Sequence, residues 1–213
     1  MGSFGEVDST TNRWIPKDVS GLTYPTTNSF LLTYASKNSL GLDTGNTSST
    51  AATVTFVAST QDDSDQTTYT YSSQSLSTAA TGRIIAVCIN GFRASGGART
   101  VSSCTIAGET GTKLVRQTSD NGDATEIWAA VVDTGTSGTI SVVFSSSMAN
   151  CNIGVYAIYN ARILPADTVS EEGNSISEVL NVPTNGVAIG TATATNGGED
   201  ATWGGLTENY DDA

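Results

Sequence analysis

The sequence predicts an all-β protein: an antiparallel β-sandwich of jelly-roll type with an extended N-terminal arm. Three observations lead to this prediction. Short stretches rich in β-branched and small residues recur along most of the 213-residue chain, separated by turn clusters of Gly, Asp, Asn, Ser and Thr. Aromatic residues make up only 7% of the chain, and small residues dominate it, a composition that suits short strands and tight turns better than helices. No stretch shows a convincing apolar period of an amphipathic helix, which argues against helical layers.

Predicted strands follow one another from residue 53 towards the C-terminus. GRIIAVCINGF (82–92) has apolar residues on both faces, which predicts a central strand of a packed sheet. Asn121-Gly122 predicts a hairpin between LVRQT and EIWAAVV, because Asn-Gly favours tight turns. SSSMAN (145–150) allows one helical turn and no more. The predicted strands are 53–57, 67–73, 82–92, 99–107, 112–118, 126–132, 139–145, 151–159, 177–182, 186–194 and 201–203.

Residues 1–50 differ in composition from residues 51–213, and we predict that they form an arm outside the sandwich. Pro16 and Pro25 interrupt this segment, and only SFLLTYA (29–35) has the pattern of a strand. The segment has too few apolar residues to build a core, so its apolar side chains are expected to pack on another surface. The residues predicted to dock the arm are Trp14, Ile15, Tyr24, Phe30, Leu31, Leu32 and Tyr34.

The charge of the chain argues against two classes of partner. There are 21 acidic and 9 basic residues, which gives a net charge of -12, and the basic residues are scattered. A negative field repels both nucleic-acid backbones and anionic membrane surfaces, so we expect neither as a partner. No window approaches the roughly 18 apolar residues of a membrane span. The start of the chain, MGSFGEVDSTTNRW, also lacks the pattern of a secretory signal.

The sequence predicts a protein that is not an enzyme and holds no cofactor. It contains no histidine, which removes Ser-His-Asp and Cys-His mechanisms and imidazole metal sites. No phosphate-binding GxxxxGK[ST] loop is present. A polysaccharide hydrolase is kept as an alternative, since it would need only two facing carboxylates. The carboxylates considered for that role are Asp62, Asp63, Asp65, Asp120, Asp123, Glu126, Asp133, Glu171 and Glu172.

The acidic run QDDSDQ (61–66) has two interpretations. Asp62, Asp63 and Asp65 could supply clustered oxygen ligands to a calcium ion. The spacing matches no EF-hand loop, so an exposed hairpin loop is favoured and no metal site is assigned.

The three cysteines, Cys88, Cys104 and Cys151, each lie in or beside an apolar strand-like run and form no CxxC pair. We predict buried thiols that act as small apolar side chains. A Cys104–Cys151 disulfide is the alternative.

Tyr69 and Tyr71 in TYTYS lie two residues apart, on the same face of a predicted strand. This spacing would suit a glycan-binding platform on which sugars stack. The interpretation weighed against it is an aromatic patch that covers the sandwich or lies at a subunit interface.

Residues 13–46 resemble the leader of tail-fibre-like and appendage proteins of tailed bacteriophages. In those leaders Tyr-Gly-Thr-Asn-Gly-Phe precedes a short strand and a Leu-Gly-x-Asp turn. Pro25 and Ser29 stand here where glycines are usual, and one extra residue intervenes, which implies a different local backbone. The matching positions are Tyr24, Thr27, Asn28, Phe30, Leu40, Gly41 and Asp43.

A second segment, from Thr105 to Asp211, is similar to β-sandwich modules on phage virion surfaces. Those modules have a glycine-led hairpin, a central apolar strand and a late Thr-Trp-x-Gly strand end. In the family the sandwich usually continues further, so the resemblance implies either an abbreviated module or a sheet completed by a neighbouring subunit. The late motif here comprises Thr202, Trp203, Gly205, Leu206 and Thr207.

The resemblance implies a non-enzymatic structural protein located in the virion. Its arm would dock on major capsid, neck or tail proteins, and its sandwich would be displayed outward, with capsid decoration favoured because the chain is short and lacks fibre repeats. The alternative is a tail or neck fibre or appendage module that binds host surface carbohydrate. In either case we expect a homo-oligomer.

Overall fold

A computed structural model describes residues 5–7, 14–16, 50–94, 96–118, 122–173, 177–193 and 203–210. The chain divides into two compact units, Met1–Ser48 and Ser49–Ala213. In the first unit, β1 (Gly5–Val7) pairs antiparallel with β2 (Trp14–Pro16). Trp14 and Ile15 of the predicted docking set lie in β2. The other five residues of that set, and the strand predicted at 29–35, lie outside the described residues.

The second unit consists of two antiparallel sheets that pack together, so the predicted β-sandwich is confirmed. The five-stranded sheet has the order β3-β11-β5-β9-β8, and the four-stranded sheet has the order β4-β10-β6-β7. The strands of the first sheet are β3 (Thr53–Asp62), β5 (Ile84–Phe92), β8 (Thr112–Thr118), β9 (Ala124–Val131) and β11 (Asn150–Tyr159). Those of the second are β4 (Gln66–Ser75), β6 (Val101–Ile106), β7 (Glu109–Thr110) and β10 (Ser137–Met148).

The main core lies between the two sheets and follows the period of two expected for strands. In β10, Ile140, Val142 and Phe144 are buried in this core, whereas Ser141 and Val143 between them are partly exposed. Burying an aliphatic or aromatic side chain of this size stabilises a fold by about 1.5–3 kcal/mol. One-sided burial along β10 therefore fixes which of its faces meets the other sheet.

Strand β5 is buried on both faces, as its sequence predicted. Ile85, Val87 and Ile89 belong to the core between the sheets. Ile84, Ala86 and Cys88 belong to a second apolar cluster on the outer face of the five-stranded sheet. The central position of β5, third of five strands, explains why it carries no polar face.

The second cluster is covered by a C-terminal segment that contains no strand in its described parts. We call residues 160–173, 177–193 and 203–210 the strap. The strands predicted at 177–182 and 186–194 are wrong over their described residues. Val187 and Ile189 pack on the sheet with the alternation of a strand, but their backbone is not paired in it. Residues 201 and 202 of the third predicted strand lie outside the described part. The helical turn allowed at 145–150 is absent, because β10 continues to Met148.

One end of the sandwich is held by a buried arginine. Arg83 is fully buried, and its guanidinium group donates hydrogen bonds to five backbone carbonyls. Because these carbonyls come from two separate loops, a single side chain fixes both loops to the start of β5. The acceptors are Val132 at 2.9 Å, Leu76, Ser77 and Thr134 at 3.0 Å, and Gly135 at 2.8 Å.

Candidate functional site

Tyr69 and Tyr71 do not form a glycan-facing platform, and that prediction is wrong. The two rings do share one face of β4, but this face points into the core, where their exposed fractions are 0% and 4%. The Tyr71 hydroxyl donates to the Cys151 carbonyl at 2.7 Å, and the Tyr69 hydroxyl lies 2.9 Å from the Met148 carbonyl. Burial raises the pKa of Tyr69 to about 12 and raises that of Tyr71 further. Both tyrosines therefore join β4 to the core instead of meeting a ligand.

The acidic turn between β3 and β4 is held together by its own carboxylates. Asp62 accepts hydrogen bonds from the Ser64 amide at 2.9 Å and from the Gln66 side chain at 2.7 Å. The Ser64 backbone hydrogen bond is the main reason that the pKa of Asp62 is lowered. Asp65 pairs with Arg93, which lowers its pKa as well. Within the described part of the chain, no three His, Cys, Asp or Glu side chains are grouped to hold a metal ion.

Asp120 lies outside the described residues, and among the candidate carboxylates that the structure describes, Glu126 has the most hydrogen-bond and ion-pair partners. It lies in β9, within an otherwise apolar stretch, and its side chain is fully buried. Buried carboxylates are unfavourable unless they are paired and hydrogen-bonded. Glu126 meets this requirement, because both of its oxygens have donors. These are the Thr100 hydroxyl at 2.6 Å, the Val101 amide at 2.8 Å, the Trp128 indole at 2.8 Å and Lys113 at 3.0 Å. The Arg116 Nε lies 3.7 Å from the carboxylate as an ion-pair partner.

The contacts of Glu126 join three strands and do not form an acid–base pair. Lys113 and Arg116 come from β8, Val101 from β6 and Trp128 from β9 itself. A glycosidase needs a second carboxylate across an open cleft. Glu126 instead faces two cations, and the ammonium of Lys113 also lies 5.2 Å from the Trp128 ring centroid. This arrangement ties the two sheets together, and it gives the hydrolase alternative no support.

Asp123, three residues before Glu126 in the sequence, has a different environment. It is buried, and its Oδ1 atom has no hydrogen-bond partner within the described part of the chain. Burial, with a smaller effect of the nearby Glu172 charge, raises its pKa. Nothing in the sequence indicated that Asp123 is buried, since it stands in a turn cluster, where aspartates are ordinarily solvated.

The outer face of the four-stranded sheet is lined by hydroxyl groups. Strands β4, β6 and β10 contain no charged residue. The strand register aligns Thr70, Ser141, Thr105 and Thr110 in one row across all four strands. We call this surface the hydroxyl face; its members are Thr68, Thr70, Ser103, Thr105, Thr110 and Ser141, and the partly exposed Val143 lies between Thr68 and Ser103.

The outer face of the five-stranded sheet is covered by the strap. Asn90 in β5 donates a hydrogen bond to the Thr191 hydroxyl at 2.8 Å and accepts one from the Thr193 hydroxyl at 2.9 Å. Near the end of the strap, the Tyr210 ring stacks on Phe56 with centroids 5.4 Å apart. The strap carries five exposed acidic residues and one arginine, so its outer surface is negative. These residues are Asp167, Glu171, Glu172, Glu178, Glu208 and Arg162.

The strap also exposes apolar side chains. Val179 is 87% exposed and Leu164 is 66% exposed, and Val169, Val182 and Leu206 are exposed to a lesser degree. The two broad surfaces of the sandwich therefore differ in character. One is uncharged and rich in hydroxyl groups, and the other is acidic with scattered apolar groups.

The three cysteines are buried and unpaired, so the prediction of buried thiols is confirmed and the Cys104–Cys151 disulfide is not formed. Burial raises the pKa of each thiol to about 12. A thiol with so high a pKa is a poor nucleophile at neutral pH.

No helix in the described ranges has the length and apolar character needed to cross a bilayer. No protein-family model, curated protein or solved structure matches the chain. The phage resemblance therefore stays a prediction that depends on the two segments identified in the sequence.

Proposed function

We propose that the protein is a non-enzymatic structural component of a tailed-phage virion. Its N-terminal arm would attach it to the particle, and its β-sandwich would be displayed on the particle surface. The observation that carries the non-enzymatic part is the environment of Glu126. The buried carboxylate that sequence analysis considered for hydrolysis is enclosed by donors from three strands and serves to join the sheets.

The virion part of the proposal rests on the resemblance of residues 13–46 and of the late Thr-Trp-x-Gly motif to phage proteins. Two features of the sandwich agree with a displayed role. Its strap presents exposed carboxylates, and a negative surface keeps closely spaced copies soluble. Three of its large polar side chains, Arg83, Tyr69 and Tyr71, hydrogen-bond to backbone carbonyls inside the fold and present nothing to a ligand.

Within this class we favour capsid decoration. The chain lacks the sequence repeats and heptads that would build a long fibre shaft. The alternative, an appendage that binds host carbohydrate, was suggested by Tyr69 and Tyr71, and both rings are buried. No described residue is therefore assigned to glycan binding.

Immunogold electron microscopy tests this proposal directly. An antibody against the sandwich is applied to particles purified from cultures that carry the gene, with pre-immune serum as the control. Gold distributed over the head supports a decoration protein. Gold at the neck or tail would replace decoration by an appendage role, and particles without gold, confirmed by mass spectrometry of their proteins, would overturn the virion assignment.

A further inference from the structure

The described strands of the sandwich include four edge strands, and three of these carry features that oppose pairing with another chain. Edge strands are commonly protected by shortness, charge or bulges. Strand β7 has only two residues, one of them Glu109, and β8 carries Lys113 and Arg116. Strand β3 departs from regular pairing near its middle, where Val155 and Tyr156 of β11 face Ala58 and Phe56.

The fourth edge strand, β4, is long and carries no charge, and its two departures from regular pairing lie towards its ends. Its ten residues, QTTYTYSSQS, include no charge and no proline. Its regular ladder with β10 runs from Thr68 to Tyr71, between one register shift towards Gln66 and another near Ser73, the one residue of β4 with a positive φ, at 56°. The side chains of Thr68, Thr70 and Ser72 are exposed. This edge is therefore open to an added strand.

Strand β4 is also held rigidly from the inside. The Tyr69 and Tyr71 hydroxyls bond to carbonyls of Met148 and Cys151. The Tyr69 ring packs edge-on against Phe144, with centroids 5.8 Å apart. An edge that is already fixed in extended form loses little conformational freedom when a second strand adds to it.

The charge of the chain indicates which partner geometry is favourable. With a net charge of -12, two copies repel one another, most strongly where the acidic strap of one would face the other. In the four-stranded sheet, whose edge is β4, the strands β4, β10 and β6 carry no charge. This sheet lies on the opposite side of the sandwich from the strap. Approach along β4 therefore keeps the two acidic straps apart, while each copy carries its acidic turn, with Asp62, Asp63 and Asp65, at the start of β4.

We propose that β4 is a self-association edge, at which the β4 strands of two copies pair antiparallel about a twofold axis. The two four-stranded sheets would join into one continuous sheet of eight strands, and the hydroxyl face would extend across both copies. A twofold axis near Thr70 would bring the hydroxyls of this residue and its equivalent side by side, and Thr–Thr pairs favour strand pairing. This association does not depend on where the protein resides.

Analytical ultracentrifugation of the full chain over a range of concentrations is the test. We expect a reversible change from the monomer mass of 21.9 kDa to twice that mass. Thr70→Lys places like charges opposite each other at the paired edge and should raise the dimer dissociation constant at least about tenfold. Thr105→Lys is the matched control, because Thr105 lies in the same row of the hydroxyl face but in β6, away from the edge.

A mixture of Thr70→Lys and Thr70→Glu chains completes the test, because opposite charges at the edge should restore association between the two variants. Circular dichroism confirms that each variant is folded. A wild-type chain that stays monomeric at all concentrations overturns the proposal. Loss of the dimer in Thr105→Lys to the same extent as in Thr70→Lys also overturns it, because that result indicates stacking of hydroxyl faces instead of edge pairing. If the Thr70→Lys and Thr70→Glu chains fail to associate when mixed, the proposal of edge pairing is overturned as well.

Discussion

The ammonium group of Lys113 lies 3.0 Å from a carboxylate oxygen of Glu126, yet the two side chains differ sharply in exposure. The Glu126 side chain is fully buried, whereas that of Lys113 is 35% exposed. Removing the lysine leaves Glu126 with its other donors. Removing the glutamate leaves the Val101 amide and the Trp128 indole buried without an acceptor. The two halves of this ion pair should therefore contribute unequally to stability.

Glu126→Ala is expected to lower the free energy of unfolding by about 3 kcal/mol, because buried donors lose their acceptor. Lys113→Ala should lower it by about 1 kcal/mol or less, since the ammonium is partly solvated. Urea unfolding followed by tryptophan fluorescence measures both. The exposed Glu109→Ala is the control and should change stability by less than about 0.5 kcal/mol. Equal losses for Glu126→Ala and Lys113→Ala would contradict this interpretation.

Arg83→Lys should be strongly destabilising although it keeps the charge. An ammonium group has three donors and cannot reproduce the five bonds of the planar guanidinium. With buried carbonyls left unpaired, we expect a loss of about 2–4 kcal/mol. Calorimetry of this variant is compared with Arg162→Lys, where the arginine is exposed. If the melting temperature of Arg83→Lys stayed within about a degree of the wild type, the guanidinium group would not be required to pair these five carbonyls.

The strand positions could be predicted because apolar alternation reports one-sided burial. This signal identified eight of the nine strands of the sandwich, and the exception was the two-residue β7. The same signal failed for Val187 and Ile189, because a segment lying flat on a sheet alternates like a strand without pairing. It also could not tell which face of β4 is inward, and a glycan-facing position of Tyr69 and Tyr71 consequently stayed open as an alternative.

The surroundings of Glu126 could not be predicted, since its hydrogen-bond and ion-pair partners are 10 to 26 residues away in sequence apart from Trp128. The one local signal was a charged residue within the apolar stretch ATEIWAAV. A charge at such a position in a strand indicates either a bulge or a buried partner, and the sequence does not say which strand supplies it.

Asp123→Asn should stabilise the protein at neutral pH. The pKa of Asp123 is raised in the folded state above its ordinary value of 3.8, mainly by burial. Its contribution to stability is therefore complete below the unfolded pKa and is lost as the pH rises through the folded pKa. An amide avoids this loss, so the gain from Asp123→Asn should be largest at pH 7 and should disappear as the pH falls to 3.8.

Urea unfolding at a series of pH values from 3.5 to 7 would measure the difference between Asp123→Asn and the wild type. Asp62 and Asp65 have lowered pKa values, so their contribution to stability is lost at acid pH in both proteins. Subtracting the wild-type free energy of unfolding from that of the variant removes this effect. Glu109→Gln serves as the exposed control. The prediction would be contradicted if Asp123→Asn were less stable than the wild type at pH 7, or if the difference in unfolding free energy did not change with pH. The first result would mean that the Asp123 charge stabilises the fold.

The cysteines should resist modification in the native protein. Burial and thiol pKa values of about 12 leave little thiolate and no access for a reagent at neutral pH. We expect no rapid reaction of Cys88, Cys104 or Cys151 with a thiol reagent under native conditions, and three equivalents of reaction in denaturant. Mass spectrometry after pulse alkylation reports both. Fewer than three reactive thiols in denaturant without reductant would reveal a disulfide.

Gly154 provides the space in which Tyr210 holds the end of the strap. A Cβ atom at residue 154 would overlap the Tyr210 ring and hydroxyl, so a methyl group there should displace the ring from its stack on Phe56. We expect Gly154→Ala to cost about 1–3 kcal/mol, as overpacking usually does. Gly204→Ala is the control, because a Cβ at that position meets no atom within 4 Å.

A double-mutant cycle with Tyr210→Ala separates this contact from a general effect on β11. If the ring is the obstacle, Gly154→Ala should cost much less in the Tyr210→Ala background than in the wild type, because the methyl group then enters the space that the ring has left. Hydrogen exchange of residues 203–210 should rise in both single variants, since each releases the end of the strap from the sheet. Strictly additive losses in the cycle would mean that Gly154 acts through the backbone of β11. The strap would then be held by its other contacts, which include Asn90 with its two threonines and the packing of Val187 and Ile189.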